Sequence, residues 1–184
     1  MAGAAGKPFD PLLLGQAGKI RLLALDVDGV LTDGSLYYDQ AGNELKAFST
    51  RDGLGIKALQ KFNIRVAIIS GRRSAIVAHR AGELAIDFVY QGIENKLDAF
   101  NDLLEKTGCS EEEACYAGDD WTDIPVLDRV GLSVTVPDAD ALLRNRVHWV
   151  TERGGGKGAV REICDLILQA QGLDELLLQS ILRS

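Results

Sequence analysis

Residues 20–32 read Ile-Arg-Leu-Leu-Ala-Leu-Asp-Val-Asp-Gly-Val-Leu-Thr, so that a short apolar run ends at Asp26, Asp28 and Gly29. The apolar half predicts a buried strand, and Gly29 allows the chain to turn directly after it. Both aspartates are therefore expected at the carboxyl end of a strand. Open α/β sheets bind their ligands at that edge, which makes the two carboxylates candidate site residues.

Two later apolar runs also end in polar residues. Residues 64–69 lead to Ser70, and residues 114–117 lead through Gly118 to Asp119. Further strand-like runs and helical patterns alternate with these, at 86–90, 94–107, 131–136, 138–145 and 147–150. This alternation predicts an α/β fold with a doubly wound, Rossmann-like parallel sheet and helices on both faces.

The polar residues at these ends suit magnesium-dependent phosphoryl transfer. A carboxylate attacks a phosphate monoester only where positive charge offsets the repulsion between them. Asp26 is the candidate nucleophile, Asp28 the candidate general acid and base, and Asp119 a further oxygen ligand for Mg²⁺. Ser70 and Lys96 are candidates to bind the phosphate oxygens, although each alone also fits a buried strand end or a surface charge.

Two more carboxylates, Asp120 and Asp123, follow Asp119 at an expected loop-to-helix turn. Asp123 is a candidate to orient a metal-bound water or Lys96. Both aspartates would equally favour a helix N-terminus through the helix dipole. The two histidines, His79 and His148, lack ligand spacing, so they are assigned no role in the site.

These segments, in this order, resemble the haloacid dehalogenase superfamily of aspartyl phosphatases over roughly residues 20–170. Members usually insert a cap domain between the first and second motifs or between the second and third. Here only 41 residues lie between Asp28 and Ser70, and 25 lie between Ser70 and Lys96. Residues 36–38 and 44–48 predict two short strands around a Gly/Asn turn. We therefore expect a small β-hairpin flap and no cap domain.

The flap and the following Arg51-Asp52-Gly53 are similar to the 3-deoxy-D-manno-octulosonate 8-phosphate phosphatases, capless enzymes of lipopolysaccharide synthesis. This resemblance implies Mg²⁺ as the cofactor and a small anionic sugar phosphate as the substrate. It makes Asp26, Asp119 and the backbone carbonyl of Asp28 the metal ligands and turns the Asp28 side chain towards the substrate. The substrate pocket that it implies is lined by Asp28, Ser49, Thr50, Arg51, Asp52, Gly53, Lys57, Arg72, Arg80 and Lys96. The sequence departs from the family pattern at Ser49-Thr50, where Asn-Val is common, and at Lys57, where arginine is usual.

Three alternatives follow from the same residues. One is a phosphatase for a nine-carbon ulosonate 9-phosphate, which would use the same chemistry. A second is a receiver-like switch module that is phosphorylated on aspartate. Its acceptor would follow a later strand, so the position of Asp26 after the first strand disfavours it. The third is a silent homologue kept as a scaffold, which predicts the loss of a catalytic residue, and none is missing.

The C-terminal part begins with a glycine-rich segment, residues 154–158. It lacks the Walker spacing of a nucleotide-binding loop, and its composition favours a mobile hinge. In the resembling family this segment opens a C-terminal tail, here from about 152, that reaches a neighbouring active site. The resemblance therefore implies a homotetramer, and a chain cut after Arg153 should keep a folded core. Residues 173–182 predict either an amphipathic helix on a partner subunit or a frayed terminus.

Composition predicts one domain, residues 19–184, after an N-terminal extension of residues 1–18. The chain has 184 residues, of which 46% are hydrophobic, enough for an ordinary core without disulfides. Three cysteines without metal spacing suit a reducing compartment, and no apolar stretch suits a signal peptide or membrane span, so we expect a cytoplasmic protein. The isoelectric point near 4.9 and the lack of a basic stripe disfavour nucleic acid as a partner.

Overall fold

The computed structural model describes residues 9–183 and forms a parallel six-stranded sheet with helices on both faces. Its strands are β1 (Leu22–Leu25), β4 (Arg65–Ser70), β5 (Phe88–Gln91), β6 (Ala114–Ala117), β7 (Leu132–Thr135) and β8 (Trp149–Val150), and a separate hairpin contains β2 (Tyr37–Tyr38) and β3 (Glu44–Leu45). The helices are α1 (Pro11–Ala17), α2 (Thr50–Lys61), α3 (Ala75–Glu83), α4 (Lys96–Thr107), α5 (Ile124–Leu127), α6 (Ala141–Arg144), α7 (Ala159–Ala170) and α8 (Asp174–Leu182). The predicted doubly wound sheet is confirmed.

Strand β1 lies in the middle of the sheet, whose order is β5-β4-β1-β6-β7-β8. Leu22 pairs with Arg65 of β4 on one side and with Ala114 of β6 on the other. All four β1 side chains are buried, because a parallel strand covered on both faces has no solvent side. Leu23 and Leu25 pack towards α2, α3 and α7, whereas Leu22 and Ala24 pack towards α4 and α5. The central strand therefore carries Asp26 to the middle of the carboxyl edge.

The predicted flap is the β2–β3 hairpin, called here the flap hairpin (residues 37–45). Tyr37 pairs with Leu45 and Tyr38 with Glu44, and Gly42 takes a positive φ of 81° in the turn. The Asp39 carboxylate accepts hydrogen bonds from the backbone of residues 41 and 43, which closes the turn. In the described chain, this hairpin and α2 are the regular elements between β1 and β4, so the prediction of a capless domain is confirmed.

The glycine-rich segment of residues 154–158 differs from the expected hinge. A side chain at Gly155 would lie 1.8 Å from the carbonyl oxygen of Gly29, and the Gly156 amide donates a 3.0 Å hydrogen bond to the Val30 carbonyl. The segment therefore packs directly on the loop that follows β1. Glycine is needed here because two backbones approach closely, not because the chain is unrestrained.

The tail predicted from residue 152 is also corrected. Helix α7 packs closely along α2, and most of its side chains are buried. Seven of its residues are buried: Ala159, Val160, Ile163, Cys164, Leu166, Ile167 and Leu168. Residues 159–170 thus complete the core, whereas α8 lies on its surface with no fully buried residue, although Leu177 packs partly against the core.

Part of the predicted N-terminal extension belongs to the domain. Helix α1 packs on α7 through the buried Leu13 and Ala17, and Asp10 caps its first turn. The first eight residues of the extension lie outside the described part of the chain. Over residues 9–183, none of the helices has the length and apolar character that crossing a membrane would require.

Candidate active site

The predicted catalytic residues meet in one cleft at the carboxyl edge of the sheet. Asp26 and Asp28 follow β1, Ser70 ends β4, and Asp119 follows β6. This acidic cleft is lined by Asp26, Asp28, Ser70, Arg72, Lys96, Asp119 and Asp120, together with neighbouring small and apolar residues. The fold thus brings these segments together at one edge of the sheet.

Lys96 provides the positive charge at the floor of the acidic cleft. It is the first residue of α4, which Asn95 caps by accepting a hydrogen bond from the Leu97 amide. Its Nζ donates to Asp26 Oδ1 at 2.9 Å and to Asp123 Oδ1 at 2.6 Å, and the side chain is 5% exposed. Burial opposes ionisation of this lysine, but the two carboxylates outweigh it and raise the pKa of Lys96, which keeps it charged.

Each carboxylate oxygen of Asp123 accepts two hydrogen bonds. Its Oδ1 accepts from Lys96 and from the Tyr116 hydroxyl at 2.6 Å, and its Oδ2 accepts from the amides of Asp119 and Asp120, each at 3.1 Å. A side chain at Gly118 would lie 2.3 Å from the Asp123 carboxyl carbon, so glycine makes this close approach possible. Asp123 therefore orients Lys96 and the loop that carries Asp119, as one of its two predicted roles required.

Asp120 lies at the edge of the acidic cleft and caps the turn that follows it. It lines the acidic cleft, and its carboxylate accepts a 2.7 Å hydrogen bond from the Trp121 amide. It forms a capping box with Asp123 around the short 3₁₀ turn Trp121–Asp123. The carboxylate thus fixes the turn that follows Asp119.

Carboxylates outnumber cations around Asp26. Single carboxylate oxygens of Asp26, Asp119 and Asp123 lie within 4.8 Å of one another, with Lys96 between two of them. Burial and the neighbouring Asp123 raise the pKa of Asp26 to about 6. Burial and the Asp26 charge raise the pKa of Asp119 to about 7. Carboxylate oxygens with excess negative charge are the donor set that a hard divalent cation prefers, so Asp26 and Asp119 fit Mg²⁺, whereas both oxygens of Asp123 are already engaged in hydrogen bonds.

Gly29 fits the turn after Asp28 for two reasons. Its φ of 95° lies in the left-handed region, which strains other residues. A side chain at this position would also come within 1.9 Å of an Asp119 carboxylate oxygen. The loops after β1 and β6 therefore approach each other at a glycine, and the second reason was not apparent from the sequence.

Asp28 is joined to the flap hairpin by a cluster that sequence analysis missed. Lys46 contacts Asp28 Oδ1, and Arg72 Nε lies 3.8 Å from Asp28 Oδ2. Glu44 accepts hydrogen bonds from Arg72 at 2.8 Å and from Ser74 at 2.7 Å. The Ser74 hydrogen bond, with Lys46 and Arg72 nearby, lowers the pKa of Glu44. The alternation in the hairpin gave no signal of this contact, because Lys46 is an ordinary surface residue by type.

Four predicted pocket residues lie elsewhere. Ser49, Asp52, Gly53 and Arg80 line a separate, small enclosed cavity between α2 and α3. Ser49 caps α2, and Asp52, only 1% exposed, accepts a 2.8 Å hydrogen bond from the Arg161 amide at the start of α7. In the single chain these four residues therefore do not line the acidic cleft, and Asp52 turns inward to the start of α7; their contact with substrate stays a prediction.

The remaining predicted pocket residues on α2 are surface residues. Thr50, Arg51 and Lys57 are exposed and do not line the acidic cleft. Arg72, in contrast, lies where it was predicted, at the mouth of the cleft next to Asp28.

A sheet of this order with these carboxylates and this lysine defines the class of the haloacid dehalogenase-like hydrolases, whose family model matches residues 74–163. The chain is 54% identical over 175 residues to the 3-deoxy-D-manno-octulosonate 8-phosphate phosphatase KdsC of Salmonella typhimurium, covering 95% of this chain and 93% of that protein. The chain belongs to this phosphatase family.

Solved structures agree with this assignment. The 3-deoxy-D-manno-octulosonate 8-phosphate phosphatase of Yersinia pestis is 50% identical with a TM-score of 0.89, over 90% of this chain and 89% of that one. The Moraxella catarrhalis enzyme, solved with a magnesium ion, a phosphate ion and KDO, is 41% identical with a TM-score of 0.88, over 91% and 97% of the two chains.

Proposed function

We propose that this chain is a magnesium-dependent phosphomonoester hydrolase that converts 3-deoxy-D-manno-octulosonate 8-phosphate into the free sugar acid and phosphate, a step of lipopolysaccharide synthesis. The observation that carries the proposal is the pairing of Asp26 with the buried Lys96 beside Asp119, in a chain 54% identical to a named phosphatase of this substrate. The cytoplasm, with its reducing conditions, suits the three free cysteines, and we propose it as the compartment.

The reaction would proceed in two displacements at phosphorus, with Asp26 as the nucleophile of the first and the leaving group of the second. In the first, an Asp26 carboxylate oxygen attacks phosphorus, the bond to the sugar oxygen breaks, and Asp28 donates its proton to that oxygen. In the second, Asp28 takes a proton from water, whose oxygen attacks phosphorus and releases phosphate from the aspartyl phosphate. Magnesium, held by Asp26, Asp119 and the backbone carbonyl of Asp28, would neutralise charge on the nucleophile and the phosphate.

The other residues of the acidic cleft bind and orient. Lys96 faces the nucleophile and would stabilise the charge that develops on the phosphate oxygens, while Asp123 and Tyr116 keep it in place. The Ser70 hydroxyl, which lines the cleft, would hydrogen-bond a phosphate oxygen. Arg72 supplies a cation at the mouth for the sugar carboxylate, and an arginine can hold such a group with two parallel hydrogen bonds.

Phosphate release tests the substrate assignment. With magnesium present, we expect a large preference for 3-deoxy-D-manno-octulosonate 8-phosphate over a nine-carbon ulosonate 9-phosphate and over p-nitrophenyl phosphate. A preference for the nine-carbon substrate would support the alternative phosphatase instead. If all three substrates react equally slowly, the proposed chemistry remains but the substrate assignment is wrong. A stable phosphoprotein without turnover would indicate a receiver-like switch.

Magnesium should stabilise the protein more at pH 8 than at pH 5.5. Asp26 and Asp119 have pKa values of about 6 and about 7, above their usual 3.8, so between pH 4 and 7 the folded metal-free chain binds more protons than the unfolded chain. The contribution of these groups to folding stability therefore decreases as pH rises through that window. At pH 8 both are ionised, and a bound cation relieves their repulsion; at pH 5.5 binding must first displace protons.

Thermal unfolding with and without magnesium measures this difference. The quantity compared is the shift of the melting temperature that magnesium causes at each pH. Groups that magnesium does not affect titrate equally in both samples, so their contribution to this shift cancels. Asp119→Asn should remove most of the shift at pH 8, whereas the same change at Asp98, an exposed residue on α4, should leave it intact. Equal shifts at both pH values would contradict the proposed metal site.

We further propose that the chain assembles as a homotetramer in which the C-terminal tail reaches a neighbouring site. Two exposed apolar surfaces support assembly: the flap hairpin, with Tyr37, Tyr38 and Leu45, and helix α8. Helix α8 follows the end of α7, and Ser180 bonds Lys61 at the end of α2, so α8 starts at the sheet edge opposite the acidic cleft. Because Ser180 near its other end also lies at that opposite edge, any site that α8 closes belongs to another subunit. Sedimentation of the intact chain should give the mass of four chains, and a monomer would contradict the proposal.

A further inference from the structure

Lys46 is a buried cation at the base of the flap hairpin. Its side chain is 1% exposed, although it follows directly after the exposed strand β3. A buried ammonium group is costly unless carboxylates pair with it. Its partners are Asp28, which it contacts at Oδ1, and Glu44, at 3.3 Å. The burial of Lys46 thus depends on the residue proposed as the general acid.

Glu44 fixes the hairpin to the segment that follows β4. Its carboxylate accepts from Arg72 Nη2 at 2.8 Å and from Ser74 Oγ at 2.7 Å. Arg72 Nη2 also lies 3.4 Å from the Tyr38 hydroxyl on the other hairpin strand. Both hairpin strands are therefore attached next to the acidic cleft, and Lys46 is held at a defined place.

The two oxygens of Asp28 are in different surroundings. Oδ1 is engaged by Lys46, whereas Oδ2 lies 3.8 Å from Arg72 Nε, on the side of the residue that lines the cleft mouth. A carboxyl group that exchanges a proton with a substrate needs one oxygen in a fixed direction. A hydrogen bond at the other oxygen fixes the rotation of the group.

We propose that Lys46 is a positioning residue for proton transfer: it holds Asp28 Oδ1 so that Oδ2 faces the leaving oxygen of the substrate. The flap hairpin is then part of the catalytic apparatus and not only a cover. This inference rests on the proposed phosphatase function. The observation that supports this inference is the contact between Lys46, at the base of the flap hairpin, and Asp28, the proposed general acid, which follows β1.

The test compares two leaving groups in Lys46→Met. Departure of a sugar alkoxide requires a proton from Asp28, whereas p-nitrophenolate departs without one. Positioned general acids contribute about 10²–10⁴-fold, so we expect the first-turnover rate with the sugar phosphate to fall about tenfold to a hundredfold. The burst of p-nitrophenol in the first turnover should change less than about twofold, since Asp28 is not needed as an acid in that step. Lys106→Met, at an exposed lysine on α4, is the matched control and should leave both rates unchanged.

The outcomes separate this inference from the proposed function. If the unaltered enzyme releases phosphate from neither substrate, the proposed function fails. If it is active and Lys46→Met lowers both first-turnover rates equally, or lowers neither, the positioning role is wrong. Should the methionine variant not fold, Lys46→Ala, which removes the donor to Asp28 without adding apolar bulk, is compared in the same way. Selective loss with the sugar phosphate in that variant supports the role, and any other pattern overturns it.

Discussion

Asp26→Asn should abolish turnover while leaving the fold intact. The amide is a very poor nucleophile towards phosphorus, and the change removes the negative charge of a proposed metal ligand at the same time, so we expect a loss of at least about a thousandfold in kcat. Phosphate release with magnesium measures it. Of the changes considered, this one should have the largest effect on activity with the smallest effect on structure.

The stability of this variant is a second readout. The pKa of Asp26 is raised by burial and by Asp123, so near neutral pH the ionised side chain is unfavourable in the metal-free protein. Replacing it by a neutral amide of the same shape should therefore leave the melting temperature of the metal-free protein unchanged or higher. The control is Asp87→Asn, at an exposed residue before β5, which should retain activity. Normal turnover by Asp26→Asn would contradict the mechanism.

Two truncated chains should distinguish the contribution of α7 to the core from that of α8. A chain that ends after Arg153 lacks α7, whose Val160, Ile163 and Leu166 are fully buried. Five such large aliphatic residues on α7 contribute roughly 7–15 kcal/mol by burial, comparable to the whole stability of a typical domain. We therefore expect this chain not to fold, in contrast to the expectation from sequence.

A chain that ends after Gly172 keeps α7 and lacks only α8. Because α8 has no buried residue, its loss should cost little stability and leave the circular dichroism spectrum close to that of the intact chain. If the proposed tail closes a neighbouring site, this shorter chain should fold and yet turn over more slowly. A folded protein from the chain cut at Arg153 would show that α7 is dispensable for the core.

The positions of the site residues at strand ends were predictable from sequence, because in each case a short apolar run is followed by a polar residue. An apolar run before Asp26, Ser70 or Asp119 predicts a strand, and parallel strands bring their carboxyl ends to one edge. The strands are shorter than the runs, since the runs include buried residues beyond the last ladder pair. For β1, the predicted 20–26 became Leu22–Leu25.

The long-range parts could not be predicted in this way. Lys46 contacts Asp28 across 18 positions, through a hairpin whose fold against the cleft is set by Glu44, Arg72 and Ser74. Asp52 was placed in the substrate pocket through the family resemblance. In the structure, one of its carboxylate oxygens accepts a hydrogen bond from the backbone amide of Arg161, 109 positions later at the start of α7. Such partners are defined by packing in three dimensions, and a single sequence does not contain their geometry.

The contact between Gly155 and Gly29 also sets an order for events during synthesis. Asp26 leaves the ribosome long before residues 154–156, but the loop that follows it gains its support only when those residues arrive. A nascent chain that has released every proposed catalytic residue therefore still lacks part of the wall of its site. Phosphatase activity should appear only after the glycine-rich segment and α7 have emerged.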